Sequence, residues 1–113
     1  MPGLVTIIVD SREQEPYSFP PRRFVVERRA LPAGDYSLAG LEHVVAVERK
    51  SADDFVHSVI RDRDRFRREL IKLADYDRSC VVVEAGLDDI LSGAYRSGAH
   101  PNAVVGAAAS IIV

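Results

Sequence analysis

The chain has 113 residues, a formal net charge of −2 and a hydrophobic share of 47%, which indicates one small globular domain and excludes a disordered chain. Its slight acidity argues against a protein that coats nucleic acid over its whole surface, although a local basic face is compatible with it. A single cysteine, Cys80, excludes a disulfide framework, and its apolar setting predicts a buried, inert thiol. The sequence shows no signal-peptide pattern and no apolar run of about 20 residues, so we expect a cytoplasmic protein without membrane contact.

The first predicted strand covers residues 4–9, a nearly continuous β-branched run of the kind that is buried on both faces of a sheet. It ends at Asp10, and carboxylates at the carboxyl ends of buried strands commonly lie at the functional edge of an α/β sheet. An Asx turn that closes the strand would explain Asp10 equally well. After a proline-rich loop at residues 14–23, residues 24–28 predict a second strand that lies nearer an edge of the sheet.

Residues 36–40 and 43–50 predict a third and a fourth strand joined as a hairpin. Gly34 allows the backbone to bend sharply just before Asp35, where the third strand begins. A hairpin brings the start of one strand close to the end of the next, so we expect Asp35 to face Glu48.

The fourth strand ends in three consecutive charges, which is unusual for a buried strand. Because side chains alternate along a strand, Glu48 and Lys50 are expected to point to one face and Arg49 to the other. A carboxylate and an ammonium two residues apart on one face offer a metal ligand beside a point charge. With Asp35 as a second carboxylate, the pattern is that of metal-dependent nucleases of the restriction-enzyme type.

Ser51 is predicted to cap a first helix, with Asp54 at its third position as in a capping box. One interpretation of Asp54 is an acid favoured at a helix start by the macrodipole. The other is that Asp54 holds Arg49 or Lys50, and both interpretations can be true.

A second helix is predicted to follow a charged break and to end near Asp75. Arg65, Arg68 and Lys72 fall nearly opposite its apolar stripe. Such a face is either only solvated or a surface that contacts DNA phosphates.

The remaining elements are a buried fifth strand at residues 79–84, a short helix at residues 87–91 and a last helix that begins near Pro101. The last helix is apolar nearly all round, so we expect it to be buried. The sequence ends on Ile112 and Val113 without a polar cap, which suggests a truncated carboxyl end or a partner that covers it.

Three separated blocks resemble the signature of the XPF family nuclease domain, whose pattern is Gly-Asp, a spacer and Glu-Arg-Lys-x-x-x-Asp. They are residues 9–13, residues 34–36, and residues 47–50 followed by Asp54 after three intervening residues. Arg65-Phe66, Glu69-Leu70 and His100-Pro101-Asn102 are similar to further landmarks of the family. The resemblance extends from about Leu4 to the end and is specific because the blocks occur in the family's order. It is nearest to short bacterial and phage members.

The resemblance implies an α/β fold of the restriction-endonuclease-like kind, with a mixed central sheet flanked by helices. It also implies one domain that lacks the family's last strand and helix at its carboxyl end. The implied activity is Mg²⁺- or Mn²⁺-dependent hydrolysis of phosphodiester bonds in branched or single-strand-containing DNA. The implied setting is a homodimer or a larger DNA-processing assembly.

The implied catalytic residues are Asp10, Asp35, Glu48, Arg49, Lys50 and Asp54. Asp10, Asp35 and Glu48 would bind the metal ion, and Lys50 would position the attacking water and offset charge on the phosphate. The predicted DNA contacts are Arg12, Arg65, Arg68 and Lys72, although Arg12 could instead pair with Glu13. A non-catalytic DNA-binding or dimerisation module of the same fold is the alternative, and the intact acids argue against it.

Overall fold

The computed structural model describes residues 4–111. Its strands and helices, in chain order, are β1 (Val5–Asp10), β2 (Phe24–Arg29), β3 (Tyr36–Leu38), β4 (Val45–Ser51), α1 (Ala52–Ile60), α2 (Arg63–Ala74), β5 (Arg78–Glu84), α3 (Leu87–Leu91) and α4 (Pro101–Ile111). The elements therefore follow the predicted order closely. Ile112 and Val113, on which the expectation of a truncated end rests, lie outside the described residues.

The strands form one mixed sheet in the order β2-β1-β3-β4-β5. Strand β1 is parallel to β2 and antiparallel to β3, and β3 is antiparallel to β4. The predicted hairpin of the third and fourth strands and the mixed α/β sheet of the restriction-endonuclease-like kind are both confirmed. The position of β2 at an edge is confirmed as well.

Strand β1 has a neighbour on each side, which explains its β-branched sequence. Ile8 and Val9 are fully buried, and Ile7 and Asp10 are nearly so. A strand that is covered on both faces has no solvent side on which polar residues could alternate. The buried carboxylate of Asp10 therefore needs hydrogen-bond partners within the protein.

The chain divides into two compact units. The first, which we call the sheet unit, contains the residues up to Glu48 together with Lys72–Val81. Its main apolar cluster consists of Ile7, Val9 and Tyr36, with Phe19, Phe24, Leu38 and Val47 packed against them. Tyr17 of the proline-rich loop stacks on Tyr36 with ring centroids 5.5 Å apart, so this part of the loop packs against the sheet unit.

The second unit, which we call the helical unit, contains Arg49–Ile71 and the residues from Val82 onward. Its core joins residues of α1, α2, α3 and α4: Phe55, Val56, Val59, Phe66, Ile90 and Val104. Phe55 and Phe66 meet edge to face with ring centroids 6.3 Å apart, the arrangement that aromatic pairs prefer. The apolar stripe predicted for the second helix thus faces this core at Phe66.

Two predictions of burial are wrong. Strand β5 is largely exposed, and Cys80 within it is exposed rather than buried, because β5 is an edge strand with a neighbour on one side only. Helix α4 buries Val104 but leaves Ala103 and Ala109 exposed, since it meets the core of the helical unit through one face. The small size of its alanine and glycine side chains makes this exposure inexpensive.

Within residues 4–111, none of the helices combines the length and the apolar character that a membrane crossing requires.

Candidate functional site

Backbone pairing brings Asp10 and Asp35 together. Strands β1 and β3 pair Val9 with Tyr36, and the Asp10 amide donates a hydrogen bond of 2.8 Å to the Asp35 carbonyl. Because paired residues of antiparallel strands lie opposite each other, the next residues in register are these two acids. The end of β1 and the start of β3 therefore present two carboxylates side by side.

A glycine allows Asp35 to approach β4 closely. Gly34 has φ +76°, and a Cβ atom at this position would lie 3.0 Å from the carbonyl oxygen of Val47. Next to it, the Asp35 amide donates a hydrogen bond of 2.8 Å to that same oxygen. Asp35 thus lies beside the backbone of the residue that precedes Glu48, and a side chain at position 34 would disturb this contact.

The Asp10 carboxylate is fully engaged by groups of the sheet unit. Arg12 donates from Nε to Oδ2 at 2.9 Å and from Nη2 to Oδ1 at 3.3 Å, and the Leu31 amide donates to Oδ1 at 2.9 Å. Burial raises the pKa of Asp10, but these hydrogen bonds and the Arg12 charge lower it by more, so that it falls below its ordinary value. Asp10 is therefore charged and firmly oriented.

Arg12 binds the Asp10 carboxylate directly, and the charges of Asp35 and Glu48 also act on it. Its hydrogen bond to Asp10 and the charge of Asp10 raise the pKa of Arg12, partial desolvation lowers it, and the charges of Asp35 and Glu48 raise it further. The backbone contacts described above place Asp10 beside Asp35 and Asp35 beside the residue that precedes Glu48, so the three acids lie in the same region of the sheet unit. The Arg12 side chain is 75% exposed, so solvent can reach this region.

Residues 4–111 contain no group of three or more His, Cys, Asp or Glu side chains arranged to hold a metal ion. Metal binding by Asp10, Asp35 and Glu48 together stays a prediction. Two carboxylates with water and a substrate phosphate are a common protein site for Mg²⁺, so a three-acid cluster is not required.

The charges that end β4 find acidic partners in the helical unit. Arg49 Nη2 lies 3.0 Å from Glu84 Oε1, and Lys50 Nζ lies 3.5 Å from Glu69 Oε2. The Lys50 ammonium is also 5.4 Å from the centroid of the Phe66 ring. The sequence did not predict either pairing, because both join residues that are far apart in the chain.

The backbone amide and carbonyl of Asp54 make hydrogen bonds at the start of α1. Its amide donates a hydrogen bond of 3.1 Å to Ser51 Oγ, which confirms the predicted cap, and its carbonyl accepts one of 2.7 Å from Ser58 Oγ. The contacts of Arg49 and Lys50 described above are with glutamates rather than with Asp54. A catalytic role for Asp54 stays a prediction.

The predicted DNA contacts on α2 are exposed at Arg65, Arg68 and Lys72. Arg65 is not simply solvated, since its guanidinium lies 3.8 Å from Asp62 and 3.8 Å from Glu69. Such exposed pairs are weak and leave the guanidinium accessible.

Comparisons with known proteins agree with this geometry. The sequence profile of the ERCC4 domain matches residues 9–113. A protein of Methanocaldococcus jannaschii named as an ATP-dependent RNA helicase, MJ1505, is 36% identical over 109 residues, which cover 96% of this chain. The chain spans only 12% of the length of that relative. Since the profile match includes the acids of β1, β3 and β4, the chain belongs to the ERCC4 domain family, the XPF family of nucleases, and so to a group of proteins that act on DNA.

Proposed function

We propose that the chain carries the active site of a metal-dependent DNA endonuclease that hydrolyses phosphodiester bonds in branched or single-strand-containing DNA. The observation that carries the proposal is the pair of backbone contacts that places Asp10 beside Asp35 and Asp35 beside Val47, the residue that precedes Glu48. Acids gathered in this way repel one another when they are ionised. A nearby cation offsets this repulsion, and the guanidinium of Arg12, which binds Asp10, is one such group.

The donor set fits a hard divalent cation. Asp35 and Glu48 supply carboxylate oxygens from neighbouring strands, and Mg²⁺ or Mn²⁺ prefers oxygen ligands to nitrogen or sulfur. When bound, such an ion lowers the pKa of a coordinated water and offsets charge on the phosphate. Asp35 and Glu48 would hold it directly, whereas Asp10, held by Arg12 and Leu31, would act through water or orient its neighbours.

The protein's own cations would act on the substrate. Lys50 follows Glu48 by two residues in β4, so strand alternation favours the same face for both side chains. An ammonium there would position the attacking water and stabilise the negative charge that develops on the phosphate oxygens. Arg12 would contact a phosphate of the bound strand.

The proposal is tested by nicking assays on labelled forks, flaps and single strands in the presence of Mg²⁺ or Mn²⁺. Asp35→Asn and Glu48→Gln keep the size of each side chain and remove its charge. We expect each to abolish cleavage while circular dichroism shows an unchanged fold. Glu27→Gln, a change of an exposed acid on the edge strand β2, should cleave normally. Near-normal cleavage by both site variants would defeat the proposal.

A non-catalytic DNA-binding module is the second candidate. The observation that favours it is the engagement of both Asp10 oxygens by Arg12 and the Leu31 amide. Calorimetry with Mn²⁺ separates the two functions: heat of binding that disappears in Glu48→Gln supports the nuclease. DNA binding without any Mn²⁺ binding supports the module.

We further propose that the protein acts as a homodimer or within a larger DNA-processing assembly. The support is the family resemblance, and light scattering with and without a DNA fork tests it. The cytoplasmic location and the single-domain organisation of residues 1–113 stay predictions from the sequence.

A further inference from the structure

We propose that Glu69 is a positioning residue that holds the ammonium group of Lys50 in its working orientation. The inference rests on the proposed nuclease function and adds a residue to which no role in that function had been given. Its first support is the Lys50–Glu69 ion pair, with 3.5 Å between Nζ and Oε2. The Lys50 side chain is only 15% exposed, so its flexible stem is confined by the protein.

The Phe66 ring restricts the same ammonium from another direction. Lys50 Nζ lies 5.4 Å from the ring centroid, within the range of a cation–π contact. Phe66 is 4% exposed and belongs to the core of the helical unit, so the ring is itself fixed. Glu69 and Phe66 lie one turn apart on α2, which therefore presents both contacts from one face.

The Glu69 carboxylate is held in a way that stability alone does not explain. Its Oε2 atom is buried and makes no hydrogen bond within the described part of the chain. A buried acceptor without a hydrogen bond costs free energy, and such groups in folded proteins call for an explanation. A function at Lys50 provides this explanation. The Glu69 oxygen keeps the Lys50 ammonium in place and leaves N–H groups of that ammonium for a substrate.

Arg65 supports Glu69 through its other oxygen, with 3.8 Å between Arg65 Nε and Glu69 Oε1. Glu69 therefore lies between two cations, Lys50 and Arg65. The ammonium of Lys50 has three N–H donors, so orientation by one carboxylate leaves others for a phosphate oxygen or a water. Without Glu69, we expect the ammonium to turn away from the position that the reaction requires.

The test compares Glu69→Ala and Glu69→Gln with Asp64→Asn, which removes an exposed acid from the same helix without a contact to Lys50. Steady-state cleavage gives kcat and KM, and fluorescence anisotropy gives the DNA affinity. Glu69→Ala should lower kcat on the order of 10- to 100-fold, since small misplacements of catalytic groups have effects of this size. In Glu69→Ala, KM and DNA affinity should stay within about twofold of the wild-type values. Glu69→Gln should recover part of kcat because an acceptor oxygen remains. Asp64→Asn should match the wild type.

A second readout does not require activity. The ¹H–¹⁵N signal of the Lys50 ammonium is identified by its loss in Lys50→Arg. It should be sharp in the wild type and in Asp64→Asn, and broadened in Glu69→Ala because exchange with water becomes faster. A retained sharp signal in folded Glu69→Ala, or an unchanged kcat, would overturn the inference. If the wild-type protein does not cleave DNA, the nuclease proposal fails, whereas the ammonium signal still decides whether Glu69 holds Lys50.

Discussion

At Asp10, four N–H donors share two carboxylate oxygens: the amide, Nε and Nη2 of Arg12 and the amide of Leu31. The Arg12 guanidinium and the Leu31 amide satisfy a buried charge that would otherwise be costly. The same contacts make it harder for Asp10 to bind a metal ion directly. The Arg12 amide donates a hydrogen bond of 3.3 Å to Asp10 Oδ2, so the predicted Asx turn is present, and a role of Asp10 as a functional acid stays a prediction.

The lowered pKa of Asp10 predicts a dependence of stability on pH. A carboxyl whose pKa is lower in the folded than in the unfolded protein stabilises the fold above its ordinary pKa, about 3.9 for aspartate. That contribution is lost as the pH falls through the lowered value in the folded state. Urea unfolding between pH 7 and pH 3 should show that Asp10→Asn is less stable at neutral pH and that the difference shrinks on acidification. Asp77→Asn, a change of an exposed acid, serves as the control, and a constant difference across this pH range would contradict the assignment.

Gly34 gives a second prediction at the scale of one residue. Gly34→Ala places a Cβ 3.0 Å from the Val47 carbonyl oxygen and forces alanine into φ +76°. Gly40 has φ +82° but no atom within 4 Å of such a Cβ, so Gly40→Ala measures the backbone cost alone, about 1–2 kcal/mol. Chemical denaturation should show a larger loss for Gly34→Ala, and DNA cleavage should fall only in that variant. Equal losses of stability in the two variants would show that a side chain at position 34 does not disturb the contact between β3 and β4.

At the scale of elements, α2 shows how one amphipathic helix serves several purposes. Its buried positions Phe66 and Leu73 match the apolar stripe predicted from the sequence. Glu69 lies one turn after Phe66, at the border of this stripe, and pairs with Lys50. Periodicity thus predicted the helix and its apolar side, and the use of its polar side required the tertiary contacts.

A matched pair of substitutions tests which side of α2 is buried. Leu73 is 5% exposed and packs with Ala33 and Ala46, whereas Ile71 is 60% exposed. Leu73→Ala should lower the free energy of unfolding by about 2–5 kcal/mol because it opens a cavity. Ile71→Ala shortens a side chain of similar size that is already exposed to water, so it should change the free energy of unfolding by less than about 0.5 kcal/mol. Urea denaturation measures both, and similar losses would show that the packing of α2 is described wrongly.

At the scale of the whole molecule, a net charge of −2 means that binding to a polyanion has to rely on local cations. Arg68 on α2 is exposed, and it is one of the α2 side chains predicted to contact DNA phosphates. This expectation concerns binding and is independent of catalysis.

The dependence of DNA affinity on salt concentration tests the predicted phosphate contact of Arg68. Arg68→Ala should weaken binding to all sequences alike and reduce the slope of log affinity against log salt by about 1, as expected for one lost phosphate contact. Arg22→Ala, a change of an exposed arginine in the proline-rich loop, should leave that slope unchanged. An unaltered slope for Arg68→Ala would remove Arg68 from the DNA contacts.

The sequence by itself determined the order and kind of the elements, the bend at Gly34 and the family, because turn chemistry, periodicity and motif spacing act over a few residues. Burial was predicted less well: β5 and Cys80 are exposed since the edge position of a strand depends on where the sheet ends. Only the tertiary structure decided that Arg12 binds Asp10 and that Lys50 meets Glu69. A flexible charged side chain can reach several partners, and the final choice depends on which of them the fold brings within a few ångströms.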